Sequence, residues 1–206
     1  LKRQGGVPRS QLSVPDLAAL RAGAANLERH VRNLQQFGLT PVVCINRFPD
    51  DTEEEMSLVQ SISESLGVRA VPADHWALGG EGATELAQAV LDQMDEGTPE
   101  VNFLYEDSLP LADKIRTIAT RIYHAGSVEF TTVAKRQLEE YESLGFGPLP
   151  VCIAKTQYSF SADSSVKGAP SGHMLPVREV ILLQAALKVL GLLTLLNGIM
   201  VILIYY

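Results

Sequence analysis

The chain has 206 residues, enough for one large domain or two small ones. Apolar residues make up 46% and charged residues 20%, which excludes the disordered class of low hydrophobicity and high charge. The formal net charge of −7 argues against a nucleic-acid-binding surface, because such surfaces are basic.

The first predicted elements are a helix, a strand and a second helix. Asp16 is a plausible N-cap, apolar residues recur after it at helical spacing, and Gly38 supplies a stop. Residues 41–45 form a short apolar run typical of a buried strand in a parallel sheet. Thr52 and Glu55 then predict a capping box at the start of the next helix.

The remaining elements continue the same alternation. A second strand is predicted at residues 68–71, followed by a helix from Ala83 to Met94 and a linker up to Pro99. Further predicted elements are helices at 111–123 and 132–144 and a strand at 149–154. The pattern predicts an α/β fold with right-handed crossovers. We expect an α/β domain at residues 1–98, a smaller C-terminal α/β domain at 99–180, and an aberrant apolar tail at 181–206.

The two cysteines and the first residues bear on the setting of the protein. Cys44 and Cys152 each lie in an apolar run, and we interpret both as small buried side chains in strands. No CxxC motif or Cys/His cluster suggests a metal site, and this cysteine usage fits the cytoplasm. Leu1 is not Met and no secretory signal follows, so we expect the sequence to begin inside a longer protein.

Two predicted loops follow strands at their carboxyl ends, where ligands of open α/β sheets bind. The first is Asn46-Arg47-Phe48-Pro49 and the second is Asp74-His75-Trp76. If the two strands are neighbours, Phe48 and Trp76 project into one crevice and form a slot for a flat heterocycle. The alternative is that both rings are ordinary core residues, and the pattern alone does not decide between these interpretations.

Two other features admit a functional interpretation. The turn Gly79-Gly80-Glu81-Gly82 lacks the GxxxxGK[ST] and GxGxxG patterns, so a tight turn into the next helix is favoured over a phosphate cradle. Lys155 follows the strand at 149–154, where it can meet an anionic group or form a structural ion pair.

Three long motifs then occur in order. Residues Val42 to Glu53 resemble VVVAINRFPxDTE, His75 to Gly82 resemble WAxGGEG, and Leu149 to Ser161 resemble LPVCMAKTQYSFS. These motifs and their spacing resemble the formate–tetrahydrofolate ligase family over roughly residues 1 to 180.

The resemblance implies a fold, a reaction and its ligands. The fold is a parallel sheet with P-loop-NTPase-like layers and a smaller C-terminal α/β part. In the reaction, ATP with Mg²⁺ activates formate to formyl phosphate, and tetrahydrofolate attacks it to give 10-formyltetrahydrofolate, ADP and phosphate. The resemblance also implies activation by a monovalent cation, a homotetramer, and a substrate slot at Phe48 and Trp76, with Asn46 and Pro49 beside it. The implied binding partners are small molecules. Neither nucleic acid nor a membrane is an expected partner.

Three departures from the family pattern limit this chain. The N-terminal P-loop portion is missing, so the chain is expected to supply the aromatic slot but no phosphate chemistry. Gln4 replaces a histidine in the family's LKxHGG motif. Residues Ile181 to Tyr206 are almost wholly apolar. The segment is long enough for a membrane span, but we favour a reading-frame error as its origin. We expect this tail to form a helix or irregular apolar structure.

A second function from another class stays open. The chain is either part of an ATP-dependent ligase, or a non-catalytic truncated product or membrane-attached scaffold. An upstream reading frame with GxxxxGK[ST] discriminates between them.

Overall fold

The computed structural model describes residues 1–97, 99–153, 158–163, 165–189 and 192–202. The chain divides into two compact units. One comprises Leu1–Asn102 with Lys167–Ala169, and the other comprises Phe103–Val166 with Pro170–Tyr206. Helices and short strands alternate through the first unit and the start of the second, and parallel strand pairs occur in both, so the predicted α/β class is confirmed.

The first unit is built on a two-stranded parallel sheet against which two helices pack. Its elements are α1 (Leu17–Gln36), β1 (Val43–Asn46), α2 (Glu53–Ser65), β2 (Ala70–Ala73), the one-turn α3 (His75–Leu78) and α4 (Thr84–Asp95). Short 3-10 helices lie at Arg9–Gln11 and Glu81–Ala83. Val43 lies opposite Ala70 and Asn46 opposite Ala73, so both strands end at the same edge.

The helix starts in this unit follow local hydrogen-bonding rules. The Asp16 carboxylate accepts a hydrogen bond from the Ala19 N–H at 2.8 Å. The Thr52 hydroxyl accepts from the Glu55 N–H at 3.2 Å, and the Glu55 carboxylate accepts from the Thr52 N–H at 3.4 Å. Both predicted caps are therefore confirmed, because each satisfies N–H groups that the first helical turn leaves unpaired.

The second strand lies two residues later than predicted. β2 spans Ala70–Ala73 and includes Pro72, which the sequence pattern places outside the strand. A proline lacks the N–H that a central strand needs, but it is tolerated in a strand that pairs on one side, as β2 does within the described sheet. The later end brings Asp74 directly after the strand.

The prediction that both cysteines are buried is wrong. Cys44 and Cys152 are in strands, but both are exposed, and neither forms a disulfide. Along β1, half-buried and exposed residues alternate, because successive side chains of a strand point to opposite faces. The face that carries Cys44 and Asn46 is exposed, whereas the prediction assumed burial of both faces.

Three polar side chains of the first unit hold the short segment Lys167–Ala169. The Gln4 side-chain oxygen accepts a hydrogen bond from the Gly168 N–H at 3.0 Å. The Asn26 amide donates to the Gly168 carbonyl at 2.8 Å, and the Arg29 guanidinium donates to the Ala169 carbonyl at 3.1 Å. Gln4, which departs from the family motif, is thus part of this contact.

The second unit contains two separate sheets. Its elements are α5 (Leu111–Arg121), β3 (Ser127–Phe130), α6 (Thr132–Ser143), β4 (Val151–Ile153), β5 (Met174–Val177), β6 (Glu179–Val189) and β7 (Leu192–Ile202). β3 pairs with β5 in parallel, and β4, β7 and β6 form the other sheet in that order. The helices at 111–123 and 132–144 are confirmed, while β3 and β5 are four-residue strands that the sequence pattern missed.

The core of this unit contains a buried lysine among aliphatic side chains. Leu111, Ile115 and Leu175 are fully buried, and so is Lys114. The Lys114 ammonium donates to the carbonyls of Gly147 at 2.8 Å and Leu149 at 3.1 Å. Burial lowers the pKa of Lys114 because the charged form loses its hydration.

The described parts of the apolar tail, residues 181–189 and 192–202, form strands, so the prediction of a helix or irregular structure is wrong there. β6 and β7 are antiparallel along their whole length, from Glu179 opposite Ile202 to Val189 opposite Leu192. β7 also pairs in parallel with β4. Four of the eleven β7 residues are β-branched and favour strands, and pairing on both sides of β7 satisfies its backbone. No helix among the described residues is long and apolar enough to cross a membrane.

Candidate functional site

The candidate site begins where β1 and β2 end. Because Asn46 lies opposite Ala73, the two strands release their loops at the same edge of the sheet. The Arg47 N–H donates to the Ala73 carbonyl at 3.1 Å and extends the pairing by one residue. The neighbouring strands that the slot requires are therefore present.

The first loop is a tight turn that exposes Phe48. The Asp51 N–H donates to the Phe48 carbonyl at 3.0 Å, which closes a four-residue turn with Pro49 in its second position, where proline is favoured. The Asp51 carboxylate in turn accepts from the Phe48 N–H at 2.9 Å. The turn thus fixes the backbone that carries the Phe48 ring, directly before the capping box of α2.

The second loop places Trp76 in the one-turn helix α3. The Leu78 N–H donates to the Asp74 carbonyl at 2.9 Å, and the Asp74 N–H donates to the Gly82 carbonyl at 2.9 Å. A Cβ atom at position 82 would lie 2.4 Å from the Asp74 carbonyl carbon, so only glycine allows this approach. The Gly-rich stretch therefore forms a turn that returns the chain to Asp74 before α4.

The Arg47 side chain joins the two loops. Its guanidinium lies 3.0 Å from the Glu53 carboxylate, at the start of α2, and 3.8 Å from the Asp74 carboxylate. Arg47 precedes Phe48, and Asp74 precedes the helix of Trp76. An ion pair therefore spans the gap between the loops at the carboxyl end of the sheet.

Both aromatic rings are open to solvent. Phe48 is 50% exposed and Trp76 is 70% exposed, so neither is the core residue of the alternative interpretation. Neither ring takes part in an aromatic pair within the part of the chain that the structure describes. Asn46 and Pro49 are exposed beside them. Binding of a ring between Phe48 and Trp76 stays a prediction.

A cavity of about 400 Å³ lies next to the first loop. Asn46, Phe48 and Asp51 reach it from the loop, and its wall is otherwise mostly aliphatic. The aliphatic lining residues are Leu1, Leu12, Leu20, Leu27, Val43, Ile45, Met56 and Val59. The cavity gives Phe48 an apolar neighbourhood on one side.

One ion pair in the cavity wall is almost completely buried. The Lys2 ammonium lies 3.0 Å from the Glu55 carboxylate, and their side chains are 9% and 4% exposed. The Asp16 N–H also donates to Glu55 at 3.0 Å. Burial acts to raise the pKa of Glu55, but hydrogen bonds from Asp16, Lys2 and Thr52 outweigh burial, and the pKa is lowered.

Sequence reasoning missed the charged residues that shape these loops, namely Arg47, Asp51 and Asp74. A signal was available, since an arginine follows the first predicted strand by two residues and an aspartate follows the second by three. Lys155, the other candidate from the sequence, lies outside the described residues. In the described ranges, no group of three or more His, Cys, Asp or Glu residues is placed to hold a metal ion.

A family profile and the relatives found by comparison all carry the same family name. A profile of formate–tetrahydrofolate ligase matches residues 1–201, beyond the end near residue 180 that the motifs predict. The ligase of Maricaulis maris (strain MCS10) is 53% identical over 180 residues, which is 87% of this chain and 32% of that protein. The ligase of Paracoccus denitrificans (strain Pd 1222) is 52% identical over 186 residues, 90% of this chain and 33% of that protein.

A third relative, from Beijerinckia indica subsp. indica, is 49% identical over 181 residues and is again named formate–tetrahydrofolate ligase. The chain spans about a third of the length of the curated relatives it matches. The profile covers nearly all of the chain, and the identities are close to one half. The chain belongs to the formate–tetrahydrofolate ligase family.

Proposed function

We propose that the carboxyl ends of β1 and β2 form a slot in which Phe48 and Trp76 hold a flat ring of a substrate, either the pterin of tetrahydrofolate or the adenine of ATP. Asn46 and Pro49 border the slot. The slot serves the ligase reaction in which formate and tetrahydrofolate give 10-formyltetrahydrofolate with conversion of ATP to ADP and phosphate.

One observation carries this proposal. Two large aromatic side chains are exposed on loops that leave adjacent parallel strands at the same edge, with Asn46 opposite Ala73. Large aromatic residues that are exposed on loops bind ligands more often than those in a core. Each ring that stacks on a flat heterocycle adds about 1 kcal/mol beyond the area it buries.

In the proposed reaction, this chain binds and orients a ring and leaves the phosphate chemistry to other groups. ATP supplies the phosphoryl group: a formate oxygen attacks the γ-phosphorus with ADP as the leaving group, and the N10 amine of tetrahydrofolate then displaces phosphate. A P-loop-type layer for the phosphates, Mg²⁺ entering with ATP, activation by a monovalent cation, a homotetramer and a cytoplasmic location belong to the same proposal. They rest on family likeness.

Ligand binding tests the slot, and the fluorescence of Trp76 reports it without an added label. Trp76 is the single tryptophan, so its fluorescence reports on this loop alone. We expect saturable changes in Trp76 fluorescence when ADP or tetrahydrofolate is titrated into the 206-residue chain, after correction for ligand absorbance. Calorimetry gives the dissociation constants independently.

Phe48→Ala provides the decisive variant and Phe103→Ala its control. We expect Phe48→Ala to raise the dissociation constant of the bound probe by about tenfold, the loss of roughly 1.4 kcal/mol of ring contact. Phe103 is 81% exposed and belongs to neither loop of the proposed slot, so its loss should leave binding unchanged. Equal affinity of Phe48→Ala and the unchanged chain overturns the slot.

A further inference from the structure

A flat ring is held well only if the two aromatic side chains keep a fixed separation. The proposed slot has its two rings on different loops, so something must set the distance between those loops. The strand pairing reaches as far as Arg47 and Ala73. Beyond that point the backbones of the two loops diverge into a turn and a short helix.

Each loop is held internally by its own contacts. Phe48 is fixed by the Asp51 carboxylate and by the closure of its turn. Trp76 is fixed by α3 and by the return of Gly82 to Asp74. These contacts determine the shape of each loop, but none of them determines the position of one loop relative to the other.

One side chain crosses between the loops in the part of the chain that the structure describes. The Arg47 guanidinium lies 3.8 Å from the Asp74 carboxylate. It also lies 3.0 Å from Glu53, which holds the guanidinium against the start of α2. Arg47 is next to Phe48 in sequence, and Asp74 is two residues before Trp76, so movement of this ion pair is transmitted directly to both rings.

The three charged side chains, Arg47, Glu53 and Asp74, are all exposed to solvent. The Arg47 and Asp74 side chains are 38% and 39% exposed, and Glu53 is 78% exposed. Ion pairs open to water contribute little to overall stability. A weak pair at this place can still limit the relative motion of two short loops, and a bound ring responds to small errors in position.

We infer that Arg47 is a positioning residue, which sets the separation of Phe48 and Trp76 through its ion pair with Asp74 and so controls affinity for a flat ring. The inference rests on the proposed slot. Arg47 acts through the loops and need not touch the ligand. Its removal should therefore change the slot while leaving the fold of the unit intact.

The test uses the 206-residue chain with three variants, Arg47→Gln, Asp74→Asn and the pair together. Arg69→Gln is the matched control, because Arg69 forms a 3.0 Å ion pair with Asp92 in the same unit. Trp76 anisotropy and acrylamide quenching are measured without ligand, and dissociation constants are measured for ADP and for tetrahydrofolate. Thermal unfolding is recorded for every variant.

We expect Arg47→Gln to raise the dissociation constant on the order of threefold and to increase quenching of Trp76, without a matching fall in melting temperature. Asp74→Asn should act in the same direction, and the double variant should add little to Arg47→Gln, because Arg47→Gln already removes the ion pair with Asp74. Arg69→Gln should change neither binding nor quenching.

The outcomes distinguish a failure of the positioning role from a failure of the proposed slot. If the unchanged chain binds neither probe, the slot itself is wrong and the positioning role falls with it. If the unchanged chain binds and Arg47→Gln binds equally well with equal quenching, the slot stands and the positioning role is wrong. Additive effects of Arg47→Gln and Asp74→Asn also overturn it, since they show that the two residues act separately.

Discussion

Gly82 shows how one residue without a side chain determines the shape of the Trp76 loop. A Cβ atom there would lie 2.4 Å from the carbonyl carbon and 2.5 Å from the carbonyl oxygen of Asp74. Both are backbone atoms, so the contact cannot be relieved by a change of rotamer. We expect Gly82→Ala to lower the free energy of unfolding by about 2 kcal/mol and to shift the Trp76 emission maximum.

Gly80 in the same turn is the matched control. Its φ is −62°, a value that any residue adopts, and no atom lies within 4 Å of the position of an added Cβ. Gly80→Ala should therefore leave stability unchanged or raise it slightly, because alanine restricts the unfolded chain. Urea unfolding followed by Trp76 fluorescence and by circular dichroism measures both variants. Equal losses at positions 80 and 82 contradict the explanation.

Glu55 makes stability depend on acid in a defined direction. Its folded pKa is lowered, because hydrogen bonds from Asp16, Lys2 and Thr52 outweigh the effect of burial. The carboxylate therefore stabilises the fold fully above the pKa of an unfolded glutamate, about 4.3, and this contribution is lost as the pH falls through the folded pKa. We expect Glu55→Gln to lower the melting temperature most at pH 7, and the difference to close in acid.

The control for this prediction is a carboxylate that makes no buried contact. Glu85→Gln changes an exposed residue at the start of α4 and should leave the melting temperature unchanged over the same pH range. At neutral pH, loss of Glu55 leaves Lys2 buried without its partner, which costs roughly 3 kcal/mol. A difference between Glu55→Gln and the unchanged chain that grows on acidification is the wrong sign for this account.

Helix α4 has two apolar faces with different surroundings. Ala89 on the inner face is 1% exposed, and the helix packs against β2. Leu91 and Met94 on the outer face are 53% and 68% exposed, and they form a stripe with Ala87 and Val90 at helical spacing. Sequence periodicity gives the helix but does not tell which of these faces meets the sheet.

The two faces of α4 should therefore respond differently to substitution. Ala89→Leu adds volume to a packed contact and should lower the free energy of unfolding by about 2 kcal/mol. Leu91→Gln with Met94→Gln keeps good helix formers on an exposed surface and should change it by less than about 0.5 kcal/mol. Urea unfolding of both variants measures the difference. A larger loss from the outer pair indicates that the outer face packs against something in the isolated chain.

The strands show where local patterns failed. The sequence places β1 within two residues of its observed start and one of its observed end, because a short apolar run between polar loops has few alternative positions. It ends β2 at Val71, before Pro72, because a proline is unfavourable in a central strand. The strand nevertheless continues through Pro72, because β2 pairs on one side only within the described sheet. It misses the antiparallel strands β6 and β7, because an unbroken apolar run has no period that separates strand from helix.

At the scale of the whole molecule, the chain alone should not complete the ligase reaction. It contains no GxxxxGK[ST] motif and spans about a third of its relatives. Phosphoryl transfer depends on groups placed around the phosphates. We expect no 10-formyltetrahydrofolate from ATP, formate, tetrahydrofolate and the 206-residue chain, measured by mass spectrometry. The full-length ligase of Maricaulis maris serves as the positive control, and turnover by this chain above background refutes the expectation.

The apolar end of the chain also belongs to this scale. A frame error near the codon for Ile181 remains our prediction for its origin, and the nucleotide sequence tests it. The family profile extends to residue 201, and β7 pairs in parallel with β4, so this segment is part of the sheet of the second unit. The sheet formed by β4, β7 and β6 therefore includes residues that lie beyond the last of the three family motifs.

The sequence by itself determined the class of fold, the helix caps, the turn at the Gly-rich stretch and the two aromatic candidates. These depend on interactions between residues a few positions apart, which a linear pattern records. Three long motifs in order also determined the family, since their combined specificity far exceeds that of any single glycine pattern.

Only the tertiary structure decided which side chains meet across the sheet and which faces are exposed. Arg47 and Asp74 are 27 positions apart and meet because β1 and β2 are parallel and end at one edge. The exposure of Cys44 follows from alternation along β1, whose face at Cys44 is open to solvent although Val71 opposite it on β2 is buried. The Lys2–Glu55 ion pair depends on an N-terminal segment packing against α2. Such contacts depend on how separate elements pack in space, and the local order of residues does not encode that information.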